Sequence, residues 1–151
     1  SATGSSEEAL KITLKANEKI YVNGAVLRAD RKVSIELMND VQFLLETHVI
    51  QADEASTPLR QLYFVLQIML VNPKGSAAAE DMFHQSLPML LSCFSDQQIL
   101  AGLKHVDQLV AEGSIYEALK TIRALYDREA EILNRDARVA AAPRLALAVG
   151  A

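Results

Sequence analysis

The stretch QADEASTPLRQLYF, Gln51 to Phe64, decides how this chain is divided. Before it, apolar residues alternate with polar ones; after it, they recur at helical spacing. Thr57 is the candidate N-cap of the helix that follows, and Pro58 takes its first position. A threonine hydroxyl accepts a hydrogen bond from an otherwise orphaned backbone N–H, and proline loses nothing where its missing N–H was unneeded.

Upstream, the pattern predicts a β-meander. Leu10, Ile12 and Leu14 alternate with Lys11, Thr13 and Lys15, the period of a half-buried strand. Ala16-Asn17-Glu18 is a turn, and Lys19 to Val22 a second strand. Asn23-Gly24 favours a type I′ hairpin, because both central positions need positive φ. Ala25 to Arg28 returns and Ala29-Asp30 connects to the alternating Val33, Ile35 and Leu37. Asn39-Asp40 turns into Val41 to Leu45. So small a set of strands needs a cover for its apolar face.

Downstream, about four helices are expected. The first spans Pro58 to Val71 and is apolar around most of its circumference, which requires burial on most sides. Phe64, Ile68 and Met69 mark a face of it that would also serve as a subunit or partner interface. Asn72-Pro73-Lys74-Gly75 breaks the helix. Ser76 is the expected cap of a second helix through Phe94, kinked or split at Pro88. Ser95 with Gln98, and Ser114 with Glu117, read as capping boxes for the third and fourth. The fold class is therefore α+β: a small N-terminal antiparallel meander packed on a C-terminal helical bundle.

At 151 residues the chain has room for one domain with a real core, placed at 10–136, with a β half at 10–50 and a helical half at 57–136. Residues 1–9 read as a cloning remnant or a disordered start, and the Ala-rich 137–151 as a flexible tail. Cys93 is the only cysteine, which fits a reducing compartment and a cytoplasmic location; it is expected to be a buried apolar residue. The longest apolar run, Leu62 to Val71, is too short to span a bilayer.

The residues offer no catalytic set. His48, His84 and His105 lie on three different elements, and Glu80 with His84 is expected to be an exposed pair rather than a metal site. No nucleophile elbow, phosphate loop or dinucleotide-binding glycine pattern occurs. An enzyme is not expected, and no cofactor or metal.

Charge is unevenly spread. The whole chain carries −4, yet Leu10 to Leu45 holds six basic residues against four acidic ones. Arg28, Arg31 and Lys32 flank one connection and suit a phosphate backbone. The plainer reading is a solvated sheet edge whose cations discourage aggregation.

Taken in order, LKITLKANEKIYVNGAV, the isolated Arg31-Lys32, DEASTPLRQLYF and YEALKTIRALYDREAEIL resemble the FlbT family, from about Leu10 to Asn134. The most specific element is carried by Thr57, Pro58, Arg60, Tyr63 and Phe64. The resemblance implies a cytoplasmic, non-enzymatic regulator that binds the 5′ leader of flagellin messenger RNA and alters its translation and lifetime. It also implies work alongside a small FlaF-like protein. On that reading Arg28, Arg31, Lys32 and Arg60 are the phosphate contacts, with Lys11 and Lys15 secondary. The rival expectation is a protein-interaction module that binds flagellin or the FlaF-like partner, with indirect control of the message. A homo-oligomer is compatible with either, and no membrane is implied.

Overall fold

The computed structural model describes residues 10–140. The expectations for residues 1–9 and 141–151 lie outside them. Ala137 to Ala140, expected in the tail, continue the last helix.

Five strands precede five helices: β1 (Leu10–Leu14), β2 (Lys19–Val22), β3 (Ala25–Arg28), β4 (Val33–Leu37), β5 (Phe43–Leu45), then α1 (Pro58–Val71), α2 (Ser76–Cys93), α3 (Gln97–Ala111), α4 (Ile115–Ala124) and α5 (Tyr126–Ala140). The α+β class is as the residue pattern predicts. The strands form two small antiparallel sheets rather than one meander: β1 with β4, and β3-β2-β5. Only β2 and β3 are a local hairpin, with Asn23 at φ 49° and Gly24 at φ 87°, both positive as the type I′ turn demands.

Alternation along the strands builds a layered molecule. Ile12 lies opposite Ile35, and Leu14 opposite Val33, which gives the β1–β4 ribbon one apolar face. That face packs on Ile20 and Phe43 of the three-stranded sheet to form a small core, which Tyr116 closes by stacking on Phe43 at 4.3 Å. Tyr21 and Leu44 point the other way, into a larger core shared with the helices. The middle sheet is thus covered on both faces, by the ribbon and by α1.

α1 is the central helix. Leu59, Leu62, Tyr63, Val65, Leu66, Gln67 and Leu70 are all buried. Its Thr57 cap forms as predicted, the hydroxyl accepting from the Arg60 N–H at 3.2 Å. Other expected caps do not form. α2 begins at Ser76 with no side-chain cap. The cap of α3 is Asp96, whose Oδ2 accepts from the Ile99 N–H at 3.1 Å, not Ser95. Ser114 makes no capping bond to α4; Gln42 Oε1 accepts from the Tyr116 N–H at 2.8 Å instead. The expected fourth helix breaks at Leu125 into α4 and α5. Pro88 does not split α2, which runs unbroken from Ser76 to Cys93 with Pro88 on its exposed side. Cys93 is exposed, contrary to expectation, since the buried stripe of α2 runs through Ala79, Phe83, Leu87 and Leu90 and misses it. No described helix is long and apolar enough to cross a membrane.

Candidate nucleic-acid interface

The turn from β1 to β2 and the connection from β3 to β4 meet at one end of the two sheets. The Asn17 N–H donates to the Ala29 carbonyl at 2.6 Å, and the Ala29 N–H to the Glu18 carbonyl at 3.0 Å. Asn17 reaches this geometry at φ 68°, a left-handed conformation that asparagine tolerates better than most residues. The two loops are therefore one tied unit.

That unit gathers cations. Lys19 lies directly opposite Arg28 in the β2–β3 ladder. One residue beyond the Leu14–Val33 pair, Lys15 and Lys32 leave β1 and β4 side by side, with Arg31 next to Lys32. Lys15, Arg28, Arg31 and Lys32 are all exposed, and Lys19 is half-buried. Like charges placed opposite each other in a sheet cost stability, so Lys19 opposite Arg28 is a pairing that a bound anion would relieve.

Glu18, Asp30 and Glu46 lie beside these cations, and two of them accept backbone N–H bonds while keeping their charge. Glu18 Oε1 accepts from the Lys15 N–H at 2.8 Å, and Glu46 Oε1 from the Lys19 N–H at 2.8 Å. Asp30 reaches Arg31 Nε at 3.4 Å, but both side chains are at least 80 % exposed, so the pair is weak. Among the described residues no ion pair engages Lys15, Lys19, Arg28 or Lys32.

Of the residues singled out for phosphate contact, Arg28, Arg31, Lys32 and Lys15 are brought together. Lys19, which no local pattern singles out, joins them through its ladder position. Lys11 sits in mid-strand opposite Glu36, on the outer face of the ribbon. Arg60 lies at the start of α1 with its guanidinium 4.1 Å from the centre of the Tyr126 ring.

Arg60 belongs to a second polar cluster that joins α1, α4, α5 and the segment before α1. The Tyr63 hydroxyl donates to the His48 carbonyl at 2.6 Å and accepts from Arg123 Nη1 at 3.0 Å. Its ring lies against Tyr126 at 5.9 Å, so Tyr63 locks α1 to α5. Glu129 is fully buried, and its Oε2 accepts from the Leu59 N–H at 2.8 Å, at the positive end of the α1 dipole. Burial pushes the Glu129 carboxyl above the usual range, against the opposing pull of Thr57, the Leu59 N–H and Arg60. Burial, aided by Arg123, pushes His48 below its usual value. Gln67, the polar interruption in the apolar run, pairs with both the N–H and the carbonyl of Ile50 at 2.8 Å each. These groups hold the fold, and their partners lie too far away in sequence to be paired by pattern alone.

Of the proposed interface residues on α1, Ile68 and Met69 pack half-buried on the helical core, and Phe64 is half-buried. Glu80 and His84 form the exposed pair expected, at 3.5 Å. No group of three potential metal ligands occurs among the described residues.

Comparison with known proteins identifies the family. The family described as "Flagellar protein FlbT" matches residues 10–133, the whole of both sheets and nearly all of the helical half. A Mesorhizobium japonicum protein is 63% identical over 142 residues, covering 94% of this chain and 96% of its own. A Chelativorans protein is 60% identical over 124 residues, covering 82% and 86%. An Agrobacterium fabrum protein is 58% identical over 125 residues, covering 83% and 84%. All three carry the name "Probable flagellum biosynthesis repressor protein FlbT". No solved structure gives a significant match. The chain belongs to the FlbT family of flagellar proteins.

Proposed function

We propose that this chain is a cytoplasmic, non-enzymatic repressor of flagellum biosynthesis that acts on flagellin messenger RNA. It binds the 5′ leader through the cationic loop unit and so alters translation and lifetime of the message. The relatives' names support the repressor role. The observation that carries the RNA role is the convergence of Lys15, Lys19, Arg28, Arg31 and Lys32 on one end of a protein whose net charge is −4. A local cluster of cations draws a polyanion to that end while the acidic remainder repels it.

The test is leader binding by purified protein across a salt series. Affinity is expected to fall steeply as salt rises, because bound phosphates release counterions. Reversal of Arg28, Arg31 and Lys32 to glutamate is expected to abolish the salt-sensitive complex; an unchanged complex would place the contact elsewhere. The rival reading, a module that docks flagellin or a FlaF-like protein on the helical half, rests on the apolar surplus of α1 and on the acidic balance of the chain, which repels RNA. Packing inside the molecule accounts for most of that surplus. Co-elution with flagellin or the FlaF-like protein, without any leader complex at low salt, would favour it.

A further inference from the structure

The protein has eight aromatic side chains, four Tyr and four Phe with no Trp, and all lie among the described residues. None is exposed. Phe43 and Tyr116 stack on each other between the sheets and α4. Tyr63 and Tyr126 face each other inside the second polar cluster. Phe83 and Phe94 are buried in the helical core, Tyr21 packs against it, and Phe64 is half-buried on α1.

That distribution bears on which RNA the cationic end can hold. Proteins that read single strands splay the bases and stack them on exposed aromatic rings or arginine planes. Here no ring is fully exposed: Phe43, Tyr63, Phe83 and Phe94 are buried, and Tyr21, Phe64, Tyr116 and Tyr126 are half-buried. Arg60 is already stacked on Tyr126. Three of the five clustered cations, Lys15, Lys19 and Lys32, are lysines, which act on phosphates as point charges and present no plane to a base. Only the remaining two, Arg28 and Arg31, present guanidinium planes.

Building on the RNA reading above, we infer that the element bound is base-paired: the loop unit grips the phosphates of an A-form stem by shape and charge, and does not read unstacked bases. A paired helix holds its phosphates in fixed rows on either side of a groove. Two tied loops bring their cations to one end, which suits a ligand whose phosphates are held in fixed positions. The Asn17–Ala29 and Ala29–Glu18 backbone bonds fix the loops before binding, so little ordering cost falls on the complex.

The test uses the full chain with two probes at equal nucleotide number. One is an RNA duplex of about 16 base pairs, the span that shape-reading domains cover. The other is oligouridylate, which forms no stem. The duplex is expected to bind at least about tenfold more tightly, and two duplexes of unrelated sequence equally well. The logarithm of the binding constant should fall with the logarithm of salt at a slope of about −4.5, as five phosphate contacts on a duplex imply. Each single neutralisation, Arg28→Gln or Lys32→Gln, should lower that slope by about one. Equal or tighter binding of oligouridylate overturns the inference. If a flagellin leader is bound but neither duplex is, the stem inference fails while the RNA reading stands. If no RNA is bound even at low salt, both fail.

Discussion

Glu129 and Gln42 each do from a distance what a capping residue does next door. Glu129 accepts from the Leu59 N–H at the start of α1, and Gln42 from the Tyr116 N–H at the start of α4. Burial raises the Glu129 carboxyl, so the folded protein keeps a proton there at pH values where the unfolded chain has lost it. The contribution is therefore complete below the ordinary glutamate range and is lost as pH rises through the raised folded value. Relative to Glu129→Gln, the wild-type protein should lose stability from about pH 4.5 upward. Urea midpoints of the two proteins across pH check this; His48 is common to both and cancels. A flat difference would show that Glu129 titrates alike in both states. Tyr63→Phe removes the hydroxyl that bridges His48 and Arg123 and is expected to cost about 1–2 kcal/mol by denaturant titration.

At the scale of elements, what the residues make legible is what depends on neighbours. The Thr57-Pro58 start of α1 and the Asn23-Gly24 turn are local devices, and both form as the sequence predicts. The pairing of β1 with β4 is not local: two strands come between them, and the alternation of each suits either neighbour equally. Serines ahead of helices attract a local capping reading, yet Asp96 takes that role at α3 because Arg128 also holds its carboxylate, at 2.6 Å. Thr57→Ala should cost about 1 kcal/mol, since no other residue supplies that cap to Arg60. Gly24→Ala should cost about 1 kcal/mol or more, because φ is positive there and the new methyl would lie 2.8 Å from Pro73 Cγ. Thermal or urea unfolding checks both; a neutral Gly24→Ala would mean that the hairpin does not rest on the Pro73 turn.

At the scale of the whole molecule, the fold sorts its charges and its rings into different places. The cations of two loops meet at one end, and no aromatic is fully exposed. The candidate site was partly readable because Arg28, Arg31 and Lys32 are neighbours in sequence. Lys19 was not, because its place beside Arg28 comes from the hairpin register. The contact of Arg60 with Tyr126 is illegible for a related reason: Tyr126, which its guanidinium covers, lies far along the chain. Exposed charges contribute little to folding, so reversing Arg28, Arg31 and Lys32 together should move stability by no more than about 0.5 kcal/mol per site. Loss of function in that triple variant would then report on binding alone. The most direct measurement is crosslinking in flagellated cells, with sequencing of the RNA attached to the wild-type protein and to Arg28→Glu/Arg31→Glu/Lys32→Glu at matched abundance. Flagellin leader sequences are expected on the wild type and lost from the variant. Equal recovery from both, or no leader sequences on either, would contradict the assignment of RNA binding to this end of the molecule.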